Sequence, residues 1–166
     1  MLLEGSCHCQ AVRFSLQSHE PVPFMRCYCS ICRKTAGSGG YAINLGGDFR
    51  TLKVKGRKNI SVYHARLAGS DGGSGKRTRR SPGERSFCKL CGSPLWVWDP
   101  RWPELVHPHA GAIDTPLPEA PAAAHILLGS KANWVPIQRV GRGDKRFEVY
   151  PDFSLVQWHE KNGLAG

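Results

Sequence analysis

The sequence lacks any apolar run approaching the roughly 18–20 residues that a membrane-spanning helix needs, which excludes a helical membrane protein. It also has little room for long helices, because its 19 glycines and 12 prolines favour short strands and turns. No repeat of fixed period is present. A 40% hydrophobic fraction with 5 Trp and 6 Phe still suffices for a packed core, which excludes a disordered chain. We expect one domain spanning residues 1–166.

Acidic residues are few. The chain has 13 Asp and Glu against 23 Lys and Arg, a formal net charge of +10. This balance leaves nucleic acid, an anionic membrane surface and small acidic substrates open as partners. The first residues lack a basic region followed by an apolar stretch, so we expect no secretory signal and a cytoplasmic location. In that reducing compartment, an odd number of cysteines points to metal binding or chemistry rather than disulfides.

Short alternating segments predict a mainly β fold. Residues 10–16 place Val12, Phe14 and Leu16 on one face of a strand. Similar patterns predict strands over residues 41–45, 49–54, 60–65, 95–98, 110–113, 125–128 and 147–150. We expect helical turns over residues 30–36 and a short C-terminal helix within residues 151–162, ended by Gly163.

Residues 69–86 interrupt this pattern with five basic and two acidic residues among Gly, Ser and Pro. The segment has almost nothing to bury, so it predicts a flexible basic loop at the surface. It offers no aromatic side chain on which nucleic-acid bases could stack. Tight nucleic-acid binding is therefore not expected.

All seven cysteines fall into three clusters, Cys7-His8-Cys9, Cys27-Tyr28-Cys29-Ser30-Ile31-Cys32 and Cys88-Lys89-Leu90-Cys91-Gly92. A Cys-x-x-Cys turn, and a Cys-x-Cys pair on one face of an extended chain, each let two sulfurs converge on one ion. By the same alternation His8 points away from Cys7 and Cys9. The remaining histidines have no metal-ligand spacing and are expected to be surface or packing residues.

The number of thiolates suggests how they divide. Structural zinc sites take four protein ligands, whereas catalytic sites take three and leave one position open. The seven cysteines would form a closed site from Cys7, Cys9, Cys88 and Cys91, and an open site from Cys27, Cys29 and Cys32. Two alternatives remain: both clusters only hold the fold, a histidine completing the second, or iron–sulfur ligation replaces zinc.

Three thiolates make Zn²⁺ a weak Lewis acid that activates water poorly but can still bind and deprotonate a thiol. We therefore expect the fourth ligand to be a substrate thiol, held as a nucleophile near an electrophilic carbon. Arg26, Arg33 and Lys34 flank the cluster and would offset its charge or attract a carboxylate-bearing thiol such as glutathione. The alternative is that these three side chains form an ordinary solvated face.

Three segments resemble the signatures of the glutathione-dependent formaldehyde-activating enzyme (GFA) family. They are residues 5–14, residues 27–38 and residues 85–95, which carry the three cysteine clusters. Residues 110–114, 125–126 and 130–134 resemble that family's C-terminal half, so the likeness covers about residues 3–134. The sequence departs from the pattern at Gln10, where a glycine is usual, and in the longer basic segment.

The resemblance implies an Mss4-like fold, a small zinc-stapled β-sheet domain with a second zinc near a substrate cleft. It implies the same division of ligands, and hence two Zn²⁺ per chain. It also implies a carbon–sulfur lyase that joins glutathione and formaldehyde to S-hydroxymethylglutathione. The alternatives are a non-catalytic glutathione or thiol carrier and a zinc-stapled nucleic-acid-binding module, which would need only the closed site.

Overall fold

The computed structural model describes residues 1–67 and 79–164. Strands dominate these residues, as expected, and no helix among them is long and apolar enough to cross a bilayer. The strands are β1 (Leu2–Ser6), β2 (Arg13–Gln17), β3 (Met25–Cys27), β4 (Ala42–Ile43), β5 (Gly47–Asp48), β6 (Lys53–Lys55), β7 (Ile60–Leu67), β8 (Arg79–Cys88), β9 (Pro94–Trp98), β10 (Leu105–Pro108), β11 (Ala124–Ile126) and β12 (Lys145–Arg146). The α-helices are α1 (Ser30–Thr35) and α2 (Leu155–Lys161), and the 3-10 helices are Phe49–Thr51, Arg57–Asn59, Ala110–Ala112 and Leu128–Ser130.

The strands of the described residues form three sheets. The first has the order β1-β2-β6 and the second the order β5-β10-β9-β8-β7, and both are antiparallel. The third has the order β12-β11-β3-β4, in which β3, β11 and β12 are parallel. Since parallel strands run in one direction, β3 and β11 end side by side at one edge of this sheet.

The main core lies between the first two sheets. Phe14 of β2 meets Trp96 of β9 edge to face, with ring centroids 5.1 Å apart. Gly5 of β1 permits this packing, because a Cβ there would collide with the Phe14 ring. Burial of each large apolar side chain stabilises the fold by roughly 1.5–3 kcal/mol. The core includes two cysteines from distant parts of the chain, Cys7 and Cys88. Its other buried residues include Leu3, Val12, Leu16, Leu45, Leu95 and Val106.

A second core holds the C-terminal helix. Helix α2 begins at Ser154, whose Oγ accepts the Gln157 N–H while Gln157 Oε1 accepts the Ser154 N–H. Trp158 then stacks on Phe24 with ring centroids 3.7 Å apart. The helix ends as predicted, since Gly163 takes a φ of +66° just beyond it.

Buried polar groups tie the third sheet to the following chain. The Tyr28 hydroxyl lies 2.9 Å from His125 Nδ1, and His125 Nε2 lies 3.8 Å from Asp144 Oδ2. Asp144 accepts the backbone N–H groups of Ala123, Val140 and Gly141 at 2.8–2.9 Å. Burial opposes ionisation of Asp144, but these three donors lower its pKa to about 2.

Several predicted strands differ in extent or type. The expected strands over residues 60–65 and 95–98 are present as β7 and β9, and those over 10–16 and 41–45 are shortened to β2 and β4. Residues 49–51 form a 3-10 helix, because the Asp48 carboxylate accepts the Arg50 N–H. Residues 110–112 also form a 3-10 helix, and residues 147–150 are not a strand. Strand β11 ends at Ile126, since Leu127 turns the chain at a φ of +58°.

The predicted basic loop over residues 69–86 is wrong for residues 79–86, which belong to β8. This strand pairs with β7 on one side and β9 on the other, so backbone hydrogen bonds stabilise it despite its polar sequence. Pro82 is tolerated because a register shift between His64 and Arg66 leaves it without a paired residue. The remaining residues of the predicted loop, 69–78, lie outside the described residues.

We predict that Asp144→Asn lowers the free energy of unfolding at pH 7 by about 1–3 kcal/mol, because the amide replaces a carboxylate that binds three N–H groups. The native pKa of Asp144 is depressed to about 2. Its contribution is therefore complete above pH 4 and is lost as the pH falls towards 2. Urea unfolding of both proteins should show the difference shrinking over this range. Exposed Asp152→Asn is the control, and a difference that stays constant with pH would contradict the assignment.

Candidate metal centres

The four-cysteine cluster, Cys7, Cys9, Cys88 and Cys91, unites two chain segments that are far apart in sequence. Its four Sγ atoms all lie within 4.8 Å of one another, with Cys9 Sγ 3.6 Å from Cys7 and 3.8 Å from Cys88. Cys7 and Cys88 are fully buried in the main core, whereas Cys9 and Cys91 are exposed. The structure thus brings together the four residues predicted for the closed site.

A tight turn and a serine arrange this cluster. The Gly92 N–H donates to the Cys88 carbonyl at 2.8 Å, and Gly92 has the positive φ of +76° that this turn requires. Ser93 joins the two halves, because its Oγ accepts the His8 N–H at 3.1 Å and lies 3.2 Å from Cys91 Sγ. Hydrogen bonds from Ser93 lower the pKa of Cys91 to about 5. A thiolate is therefore favoured at this position.

The three-cysteine cluster, Cys27, Cys29 and Cys32, lies where β3 passes into α1. Cys27 ends β3, Cys29 is the N-cap of α1, and Cys32 is in the first turn of the helix. The Cys32 N–H donates to Cys29 Sγ at 3.3 Å. All three sulfurs lie within 4.8 Å of one another, with Cys27 and Cys32 buried and Cys29 half-buried. Solvent therefore reaches this cluster on the Cys29 side.

The three sulfurs do not ionise independently. Hydrogen bonds from Cys27 and Cys32 lower the pKa of Cys29 to about 2. The bonds that Cys27 makes with Cys29 and Cys32, together with its burial, raise the pKa of Cys27 well above its usual range. One thiolate is thus stabilised by its neighbours alone, whereas ionising all three thiols requires a positive charge close by.

Arg85 supplies part of that charge, and sequence reasoning missed it. It extends from β8, and its Nη2 lies 3.8 Å from Cys32 Sγ, while Asn44 Nδ2 lies 4.0 Å from the same sulfur. Arg85 Nη1 and Asn44 Oδ1 are buried without a hydrogen-bond partner in the described residues. A buried guanidinium is costly unless it faces negative charge. The −1 net charge of three thiolates around one Zn²⁺ would balance it, so the residues present fit a metal at this cluster.

The three cations predicted to support the cluster have other neighbours in the structure. Arg26 places its guanidinium 5.0 Å from the centroid of the Tyr41 ring. Arg33 and Lys34 occupy the last turn of α1, where cations favour the helix dipole. Among the described residues, none of these three side chains contacts a cysteine sulfur. Arg85 does contact a sulfur, and both the charge support and the attraction for a carboxylate expected of the three cations stay predictions.

Histidines do not complete either cluster within the described part of the chain, where both groups contain cysteine alone. His125 and His159 are fully buried packing residues. His159 Nε2 accepts the Val22 N–H, and its Nδ1 bonds the Leu155 carbonyl, so both ring nitrogens are engaged inside the fold. His109 is also buried, which lowers its pKa to about 3. Among the described residues, no histidine therefore joins the three-cysteine cluster as a fourth ligand.

Residues 2–130 match the model of the family described as glutathione-dependent formaldehyde-activating enzyme. The chain belongs to this GFA family. It is 56% identical over 164 residues to a Halomonas elongata protein named "Putative glutathione-dependent formaldehyde-activating enzyme", covering 99% of this chain and 98% of that protein. A crystal structure of a Rhodobacter sphaeroides protein has a similar fold, with a TM-score of 0.50 and 24% identity over 69% of this chain and 91% of that one.

The structure explains one departure of this GFA member from the family pattern. Gln10 has a φ of +60°, a conformation that glycine adopts without strain. Its N–H donates to the Cys7 carbonyl and so closes the turn that holds Cys9. Its side chain compensates, because Gln10 Nε2 donates to Ser6 Oγ at 3.0 Å and Ser6 Oγ donates to Asp114 at 2.6 Å.

We predict that the two clusters differ in their effect on stability. Cys88→Ser should unfold or aggregate the protein, because a structural metal contributes ~10 kcal/mol or more to folding. Cys29→Ser, at a half-buried position, should leave a folded protein that has lost only the second ion. Metal content by mass spectrometry and circular dichroism will measure both effects. Equal instability of the two variants would show that the three-cysteine cluster is also structural.

We predict that Arg85→Met weakens metal binding at the three-cysteine cluster about 10–100-fold, the usual cost of removing a partner of a metal ligand. Competition with a chromophoric chelator gives the affinity of each site. The control is Arg80→Met, since Arg80 lies on the same strand but is exposed. An unchanged affinity in the Arg85 variant would show that its charge does not act on the metal.

Proposed function

We propose that this protein adds formaldehyde, or a related small carbonyl compound, to the thiol of glutathione at the three-cysteine cluster, or reverses that addition. The observation that carries the proposal is a half-buried group of three sulfurs, with no fourth ligand in the described residues, in a member of the GFA family. The relative's name supports the same substrates. The reaction is that of a carbon–sulfur lyase, and its product with formaldehyde is S-hydroxymethylglutathione.

Zinc is the metal that both donor sets favour, because thiolates are soft ligands and four of them suit a closed tetrahedral site. We propose two Zn²⁺ per chain, one held by Cys7, Cys9, Cys88 and Cys91 and one by Cys27, Cys29 and Cys32. When bound at the three-cysteine cluster, zinc would supply a position for an incoming thiol and lower the pKa of that thiol. A catalytic role for Cys27, Cys29 and Cys32 means that they act as ligands, not as nucleophiles.

The chain's own residues would prepare this position. The α1 backbone and Arg85 hold the sulfurs of Cys29 and Cys32 through hydrogen bonds, which orients them before any ligand arrives. Arg85 also offsets the excess of negative charge that an additional thiolate would bring. These seven reduced cysteines suit a reducing compartment, and we propose the cytoplasm as the place of action.

The two alternatives predict different behaviour. A thiol carrier would use the same cluster and bind glutathione without turnover. A nucleic-acid-binding module would use basic residues such as Arg79 and Arg80, but it gives no reason for a second cysteine group with a buried arginine directed at it. The site therefore favours a small thiol as the partner over nucleic acid.

We expect glutathione to bind through its sulfur. In the cobalt-substituted protein, glutathione should strengthen the thiolate-to-metal absorption, whereas S-methylglutathione should not, because it lacks an ionisable thiol. Cys29→Ser should abolish the response. Identical spectra with the two compounds would contradict sulfur coordination at this cluster.

Turnover then separates an enzyme from a carrier. With ¹³C-formaldehyde and glutathione, exchange NMR measures the rate at which S-hydroxymethylglutathione forms and decays. A catalytic amount of protein should accelerate this exchange, and the Cys29→Ser variant should not. Binding of glutathione without acceleration would support the carrier, and nanomolar binding of an oligonucleotide at physiological salt would support the third alternative.

A further inference from the structure

A tyrosine outside the region matched by the family lies at the edge of the third sheet that carries the three-cysteine cluster. Strands β3 and β11 are parallel, and Ile126 pairs with Cys27 at their ends. Strand β12 is parallel to β11 as well, so the chain that follows it proceeds towards the same edge. Residues 147–150 form that continuation.

Backbone hydrogen bonds determine how far this continuation extends. The Phe147 N–H donates to the His125 carbonyl at 2.8 Å, and the Leu127 N–H donates to the Val149 carbonyl at 2.9 Å. Val149 is therefore level with Leu127, one residue beyond the row of Ile126 and Cys27. Tyr150 is the next residue, so it follows directly on the hydrogen bond at the end of the sheet where Cys27 contributes a sulfur to the cluster.

The side chain of Tyr150 is available to a ligand rather than packed in the core. It is 71% exposed and its hydroxyl has no hydrogen-bond partner in the described residues. Partial desolvation, followed by the negative charges of Cys27, Cys29 and Cys32, raises the pKa of this phenol. The positive charge of Arg101 acts in the opposite sense and lowers the pKa of the phenol. The phenol thus lies within electrostatic reach of all three sulfurs, protonated at neutral pH and free to donate.

Two other donors near the cluster are buried. The Tyr28 hydroxyl is buried and bonded to His125. Arg85 directs Nη2 to Cys32 Sγ, and its Nη1 is buried away from solvent. The Tyr28 hydroxyl and Arg85 Nη1 are therefore not exposed to a small carbonyl compound that enters from the open Cys29 side.

We propose that Tyr150 is a catalytic residue that hydrogen-bonds the carbonyl oxygen and protonates it as the thiol sulfur adds, an inference that rests on the function proposed above. The sulfur of the thiolate forms a bond to the carbonyl carbon, and the π pair of the C=O bond moves to the oxygen. That oxygen takes the phenol proton and becomes the hydroxyl of the product. Solvent water returns a proton to the exposed tyrosinate, and in the reverse direction the tyrosinate removes the proton from the product hydroxyl.

Tyr150→Phe tests this role because it removes only the hydroxyl. We expect the enzyme-dependent rate of ¹³C-formaldehyde exchange to fall on the order of 10²-fold, within the range of general acid catalysis. The affinity for glutathione, measured by calorimetry, should stay within about twofold of wild type, and the zinc content should not change. Tyr63→Phe is the matched control, since Tyr63 is an exposed tyrosine of β7 and should retain the wild-type rate.

The outcomes are distinct. A Tyr150→Phe protein with the wild-type exchange rate would overturn the role of Tyr150 and leave the proposed function standing. A parallel loss of glutathione affinity, with the rate at saturation unchanged, would also overturn it, since Tyr150 would then only help to bind the thiol. A wild-type protein that binds glutathione without accelerating exchange would refute the proposed function itself.

Discussion

Electrostatic repulsion between crowded sulfurs is the constraint on which the rest of this structure depends. Seven cysteines are packed into two groups in which every sulfur lies within 4.8 Å of the others of its group. Two thiolates about 4 Å apart repel by ~4 kcal/mol at an effective dielectric constant of 20. A cation at the centre of each group attracts every thiolate, so the total electrostatic energy of the group becomes favourable. The same crowding that opposes an empty, fully ionised cluster therefore favours binding of a metal.

This constraint suits a fold built from short strands. Most strands have between two and five residues, and the described residues are divided among three small sheets rather than one large one. Small sheets bury limited apolar area, so a metal held by the four-cysteine cluster, as proposed above, would add a cross-link between the turn after β1 and the end of β8. The packing of Phe14 on Trp96 and the buried pair Cys7 and Cys88 belong to one continuous core. A metal bound there would thus stabilise the same region as the apolar packing.

The sequence predicted the cysteine groups well because counting ligands requires no knowledge of the path of the chain. It predicted β7, β9 and both helices because alternation and capping are local properties. It failed at β8, since a strand of Arg, Ser, Pro and Gly is stabilised by its neighbours β7 and β9 and not by its own pattern. The Phe49–Thr51 helix depends on one side-chain bond from Asp48. Arg85 could not be found, because only the folded chain brings it to Cys32.

Strand β8 carries residues for both clusters three positions apart, Arg85 beside Cys32 and Cys88 within the four-cysteine cluster. Neighbouring positions of a paired strand cannot shift separately without breaking the hydrogen bonds on both sides. The guanidinium therefore reaches Cys32 in the same register of β7 and β8 that places Cys88 in the four-cysteine cluster. A shift of β8 by one position would therefore remove a residue from each of the two clusters at the same time.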